Sequence, residues 1–188
     1  MLNIVLFGTP GAGKGTQSEI LIKNHNLHHI STGDMFRYHM KENTELGQRV
    51  KEIINDGQLV PDEITIAMLR EEVESNEQAS GFLFDGFPRT VPQAEALDTL
   101  MESMGKKIDG VIELKVTEEE VRTCIAKRKE QSGRADDSED KLERRIQEYY
   151  GKTVHVLPFY QEQDRLVSVN GIGSIDSIAA EIEKHVQG

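Results

Sequence analysis

The chain has 188 residues, which allows one domain with a buried sheet and is too short for two full ones. Hydrophobic residues make up 37% and no apolar run is long enough to cross a bilayer, so no membrane partner is expected; a net charge of −11 argues against a nucleic-acid partner held by phosphate contacts. The single cysteine, Cys124, excludes an intramolecular disulfide and a multi-cysteine zinc site. The sequence enters a strand at once, without a basic flank or a small-residue cleavage site, so a cytoplasmic protein is expected.

Leu2–Phe7 reads as a buried strand, followed by GTPGAGKGTQ (Gly8 to Gln17) and by a helical pattern that runs through Ile20 and Leu21 to Leu27. Strand, glycine-rich turn and helix with G-x-x-x-x-G-K spacing make a phosphate cradle. Glycines let backbone N–H groups converge on an anion, the helix N-terminus adds partial positive charge, and Lys14 reaches the outer phosphates. The alternative, a turn that merely starts a helix, leaves the lysine unexplained. The hydroxyl usually found directly after the lysine is absent at Gly15 and comes one residue later, at Thr16.

His28–Ile30 is a second strand candidate, and helices are predicted over Asp34–Glu42, Glu45–Asn55 and Asp62–Glu74, the last opened by Pro61-Asp62. Phe82–Phe84 is a strand and Pro92–Ser103 a helix ended near Gly105; Gly110–Leu114 is the next strand. Thr117 caps a helix over Glu118–Lys129, acidic in its first turn and basic in its last. A polar stretch over residues 130–139, EQSGRADDSE, precedes one long helix over Asp140–Gln163, bent near Pro158. Arg165–Val169 is the last strand and Ser174–Val186 the last helix. Strands alternating with helices imply an α/β fold with a parallel sheet covered on both faces, binding ligands outside the carboxyl ends of the strands. Residues 31–60 and 130–139 break the alternation and are candidate moving parts.

The second strong signal is FLFDGFPRTVPQ, Phe82 to Gln93. Asp85, a carboxylate ending a strand near a phosphate loop, suits magnesium held through water. Arg89 offers a planar fork for a phosphate. Taken alone, the segment also fits a surface turn with a structural ion pair.

GTPGAGKGTQ, STGDMFR (Ser31 to Arg37) and DGFPRTVPQ together resemble the adenylate kinase branch of the nucleoside monophosphate kinases, in order and over essentially the whole chain. The resemblance implies a single domain over 1–188 with a P-loop NTPase-like five-stranded parallel sheet, a helical NMP-binding insertion at 31–60 and a lid at 128–138. It implies reversible phosphoryl transfer from MgATP to AMP, giving two ADP, in adenine nucleotide homeostasis. A monomer with Mg²⁺ and no structural zinc is expected. Gly11, Ala12, Gly13, Lys14, Gly15 and Thr16 would hold the ATP phosphates, with Thr16 the candidate hydroxyl near magnesium. Thr32 would lie near the AMP adenine and Arg37 on its phosphate. Gln58, Leu59 and Val60 would line the base and ribose through backbone groups, completed by Gly86, Phe87, Pro88, Arg89 and Gln93. The Gln93 amide matches the donor and acceptor edge of adenine. UMP/CMP kinases, the alternative on this fold, tend to carry Ala at the Thr32 position and Asn directly after FPR, where this chain has Thr90.

Arg128, Arg134 and Arg145 would bring three guanidinium groups onto the transferring phosphoryl group, the first from the ATP side and the others facing AMP. Asp136 and Asp137 resemble the family's acidic lid pair, or else are solvated loop charges. Gly173 matches the glycine that approaches the ATP adenine, or else serves only the helix start. Only five residues separate Arg128 from Arg134, as in the short-lid variant without zinc-binding cysteines. Cys124 stands where the family commonly carries an arginine stacked on the donor adenine; either donor selection is looser here, or the thiol fills buried space. Arg144 is read as surface. The six histidines show no ligand spacing and no obvious carboxylate partner. A phosphate nucleophile is already ionised, so no general base is required. A non-catalytic nucleotide-binding regulator is the remaining alternative, although Lys14 and the arginines are all present.

Overall fold

The five apolar runs form one parallel sheet in the order β2-β3-β1-β4-β5. The structure is a computed structural model that describes residues 1–132 and 139–186, the side chains of 126–132 and 139 excepted. The strands are β1 (Leu2–Gly8), β2 (His28–Ser31), β3 (Gly81–Asp85), β4 (Gly110–Lys115) and β5 (Leu166–Asn170). Helix α1 (Lys14–His25) joins β1 to β2. Helices α2 (Thr32–Lys41), α3 (Glu45–Asn55) and α4 (Asp62–Ser75) lie between β2 and β3, and α5 (Val91–Ser103) precedes β4. Helices α6 (Glu118–Ser132), α7 (Glu139–Gly151) and α8 (Val156–Gln161) lie between β4 and β5, and α9 (Ile175–Val186) follows β5.

Helices cover both faces of the sheet, which is why its strands read as continuous apolar runs rather than alternating ones. Val5, Phe7, Phe82, Phe84 and Val111 pack with Leu69 and Val73 of α4, Leu97 of α5 and Tyr160 of α8. Ile4, Leu6, Leu83 and Ile112 face the other way, onto Leu21 of α1 and Ile182 of α9. Each such side chain contributes roughly 1.5–3 kcal/mol on burial. Asn3 interrupts the apolar run of β1 and is nevertheless buried. Its Oδ1 accepts from Phe82 N–H at 3.2 Å and its Nδ2 donates to the Lys107 carbonyl at 2.8 Å. Two smaller cores lie outside the sheet: Phe36, Val50, Val60 and Met68 hold α2 and α3 against α4, and Val121, Ile125, Leu142 and Ile146 join α6 to α7.

Three expectations change. The long helix over Asp140–Gln163 is divided, and the break falls at Gly151-Lys152 rather than near Pro158, with a 3-10 turn at Thr153–His155 before α8. Pro158 sits in the first turn of α8, where a missing N–H costs no helical hydrogen bond. The break lets Val156, Leu157 and Tyr160 enter the sheet core while Leu142 and Ile146 stay on α6. Helix α2 begins at Thr32 rather than Asp34, because the Ser31 hydroxyl accepts from Asp34 N–H at 3.3 Å as its N-cap. Several histidines do have carboxylate neighbours: His25 with Glu183 at 2.9 Å, His28 with Glu72 at 2.8 Å and His29 with Asp85 at 3.9 Å. His185 lies 3.6 Å from Glu181 on the same helix. The first three pairs join different elements, so no sequence spacing announces them.

The α2–α3 crossing depends on a missing side chain. A Cβ at Gly47 would lie 2.1 Å from the His39 carbonyl oxygen, a backbone atom that cannot move aside by itself. Gly47→Ala is therefore expected to lower the melting temperature by roughly 5–10 °C, from about 3 kcal/mol of overpacking. A thermal unfolding curve within 2 °C of the native one would show, on the order of stability expected for a tolerated surface change, that the helices part without cost.

Candidate active site

The phosphate-loop segment leaves the carboxyl end of β1 and turns into α1. Gly11 and Gly13 have φ of +86° and +85°, conformations that strain any residue with a Cβ. At Gly11 an added Cβ would also meet the Ile125 side chain at 2.8 Å, whereas at Gly13 and Gly15 nothing lies within 4 Å. The loop thus packs on α6 at Gly11 and presents bare backbone at Gly13 and Gly15. Helix α1 has no side-chain cap and no acidic residue in its first turn, so its leading N–H groups and dipole are available to an anion. The Lys14 ammonium curls back and donates to the carbonyls of Gly8 at 2.8 Å and Thr9 at 3.1 Å, which holds the charge at the mouth of the loop.

Beside the loop, β3 ends in Asp85, paired in register with Leu6 of β1. Its side chain is 17% exposed. The chain then passes through Gly86 and a cis Phe87-Pro88 peptide to Arg89. Arg89 is braced at two points: Nε donates to the Gly86 carbonyl at 2.7 Å and its backbone N–H to Gln93 Oε1 at 2.7 Å. Thr32 Oγ1 donates to the same Gly86 carbonyl at 2.9 Å, which ties the start of α2 to this turn. Gln93 is 2% exposed, and its Nε2 donates to Asp62 Oδ1 at 2.7 Å. Asp62 Oδ2 accepts from Thr90 Oγ1 at 2.8 Å. Asp62 had read only as a helix start; it also locks α4 to the Arg89 turn, and nothing in its own neighbourhood of the sequence signals that.

Two cavities flank this turn. One is lined by Thr32, Arg37, Gln58, Leu59, Val60 and Gly86, with Arg89, Gln93 and Arg145 around them. The other is lined by Gly8, Pro10, Lys14, Phe87 and Pro88, and again by Gly86, Arg89 and Arg145. Arg89 and Arg145 are therefore common walls, with Arg37 on one side and Lys14 on the other, which concentrates cations in a chain of net charge −11. Arg37 is also paired with Asp34 one turn away on α2. Tyr149 lines the second cavity beside Glu148, and burial pushes its hydroxyl above its ordinary range, helped by Glu113 and Tyr150.

On the far side of the loop a wider cleft is lined by Gly11, Ala12, Gly13 and Thr16, by Thr123 and Cys124 of α6, and by Gly171–Gly173 and Ile175. Cys124 is exposed and lines this cleft, so the thiol does not fill buried space. Arg144 is 56% exposed, 3.9 Å from Asp56, and belongs to the surface as expected. The Arg128 side chain, Arg134, Asp136 and Asp137, and with them residues 133–138 of the expected lid, lie outside the described residues. Among the described residues no group of three or more His, Cys, Asp or Glu side chains is placed so that it could hold a metal ion, and no helix is long and apolar enough to cross a membrane.

The family model described as adenylate kinase matches residues 6–165. An adenylate kinase of Maricaulis maris is 48% identical over 181 residues, covering 96% of each chain. One of Flavobacterium johnsoniae is 47% identical over 95% of this chain and 94% of its own. One of Phocaeicola vulgatus is 42% identical, covering 100% of this chain and 99% of its own. With the phosphate loop and the Arg89 turn both within the matched span, the chain belongs to the adenylate kinase family.

Proposed function

We propose that the chain transfers the terminal phosphoryl group of MgATP reversibly to AMP, giving two ADP, and so serves adenine nucleotide balance as a cytoplasmic monomer. The observation that carries this reading is the pair of cavities sharing Arg89 and Arg145, with Lys14 at one end and Arg37 at the other. A donor phosphate chain on the loop and an acceptor phosphate against Arg37 would meet between the two shared guanidinium groups. The donor phosphates lie on Gly11 to Thr16, with Gly173 at the adenine. AMP takes the first cavity, its base near Thr32, Gln58 to Val60 and Gln93, its phosphate on Arg37 and Arg89. Arg128 and Arg134 add their charges to the same centre.

Lys14, Arg89 and Arg145 neutralise charge on the transferring group, and the cavity walls fix the approach of the acceptor oxygen. That oxygen is ionised at neutral pH and requires no proton acceptor. Asp85 and Thr16 offer few, hard oxygen donors, a set that fits a magnesium ion retaining most of its waters. Magnesium there supplies charge compensation to the donor phosphates. The test is an assay of ADP formation from ATP with AMP, CMP or UMP in turn. Preference for a pyrimidine nucleotide would replace the acceptor assignment, and nucleotide binding without ADP formation would make the chain a regulator.

Cys124 bears on the donor. Cysteine offers no cation to stack on a base, so ATP is expected to exceed GTP as donor by only a few fold. Cys124→Arg is expected to widen that preference by about fivefold, from roughly 1 kcal/mol of cation–π contact. An unchanged ATP-to-GTP ratio of kcat/KM would separate Cys124 from donor selection.

A further inference from the structure

Gln17 sits in the first turn of α1, three residues after Lys14, and is 3% exposed. Its Nε2 donates to the Ile175 carbonyl at 3.1 Å, across 158 residues of sequence. Its Oε1 is buried and has no hydrogen-bond partner. An amide held by one end only is a poor choice for stability, because a buried unpaired acceptor loses its hydration without return. An apolar side chain of the same length would fill the space without that loss. The contact that Gln17 does make reaches the first residue of α9, the end of the segment Gly171–Ser174 that forms one rim of the cleft beside the phosphate loop.

That segment is fixed at its other end by the sheet, where Gly171 N–H donates to the Lys115 carbonyl at 2.8 Å. A Cβ at Gly171 would lie 2.8 Å from Val116 Cγ1, so the backbone here runs close against Val116. Between the two anchors, Ile172, Gly173 and Ser174 are exposed along the rim. Ser174 turns its hydroxyl to Ser177 N–H at 3.1 Å, caps α9, and makes no link to α1. The Gln17 amide is thus a direct polar tie from the helix that bears Lys14 to the rim.

We propose that Gln17 is a positioning residue for the base and ribose of the phosphoryl donor: it holds the Gly171–Ser174 rim at the distance from the loop that a nucleoside triphosphate spans. This rests on the reading of the loop as the donor site. It separates two parts of donor affinity, one for the phosphates through the loop backbone and Lys14, the other for the nucleoside through the rim. Gln17 serves the second.

The experiment uses the full chain as Gln17→Leu and, to exclude a packing fault peculiar to one shape, Gln17→Met. ATP and inorganic tripolyphosphate, which has no nucleoside, are titrated by calorimetry with magnesium present; steady-state KM for donor and acceptor and the melting temperature are measured alongside. The expected result is ATP affinity weakened about fivefold in both variants, the value of one neutral hydrogen bond. Tripolyphosphate affinity and the AMP KM stay within about twofold, and the melting temperature is unchanged or higher, as loss of an unpaired acceptor allows. Equal weakening of ATP and tripolyphosphate would place Gln17 in the phosphate cradle and overturn the proposal. So would an unchanged ATP affinity, or a lowered melting temperature with both ligands unaffected. If the native chain bound neither ATP nor tripolyphosphate, the donor-site reading itself would fall, whatever the variants do.

Discussion

Lys14→Met is expected to lower kcat for ADP formation by about 10³-fold while leaving the fold intact, a loss of the size seen when one preorganised donor to a developing charge is removed. Methionine matches the length of the lysine stem and keeps helix propensity, so α1 is not disturbed. The side chain is half-buried and donates to two loop carbonyls, Gly8 and Thr9. Losing those bonds costs about 1 kcal/mol, small against the effect on transfer. A coupled assay reads kcat, and far-ultraviolet circular dichroism with a melting curve checks the fold. Activity within tenfold of native would remove Lys14 from the chemistry and reduce the loop to a binding element.

Arg89→Ala is expected to have an effect of the same order, distributed differently. The guanidinium lines both cavities, so under the proposed function its loss would remove a phosphate contact of the acceptor and a charge at the transferring group. We expect kcat/KM for AMP to fall by about 10²- to 10³-fold, in kcat and KM together, from roughly 3–4 kcal/mol of charge-assisted hydrogen bonding. Arg89→Lys should recover little, because an ammonium cannot reproduce a planar fork braced on the Gly86 carbonyl. Arg144→Ala is the matched control: this guanidinium is 56% exposed beside Asp56, and activity within twofold is expected on the order of a surface ion pair's worth. An Arg89 variant that behaves like the Arg144 variant would detach the DGFPR turn from catalysis.

The loop and the DGFPR turn were legible because their chemistry is local. Gly11, Gly13 and Lys14 lie within four residues and act through backbone geometry that a short spacing dictates. The strands were legible for a similar reason: burial on both faces leaves an uninterrupted apolar run such as Phe82–Phe84. Thr117, Thr90 and Thr44 each accept from an N–H three residues on, at 3.4, 3.3 and 3.1 Å, within reach of a sequence pattern. The division of the long helix was not legible. Glu139–Gln161 carries helix-forming residues on both sides of Gly151-Lys152, and what separates the halves is that they face different cores, α6 on one side and the sheet on the other.

The chain by itself determined the layer architecture and the glycine-rich loop with its lysine, since each follows from periodicity or from a motif whose parts are neighbours in sequence, while the residues proposed for a second nucleotide came from the resemblance to a family. Only the tertiary structure decided which surfaces these residues share. The place of Arg145 in the same walls as Arg89 depends on how α7 lies over the Arg89 turn. The bracing of Gln93 by Asp62, the pairing of His29 with Asp85 and the reach of Gln17 to Ile175 span 31, 56 and 158 residues. Such contacts are set by packing between elements, and packing energy depends on three-dimensional proximity that no one-dimensional spacing encodes.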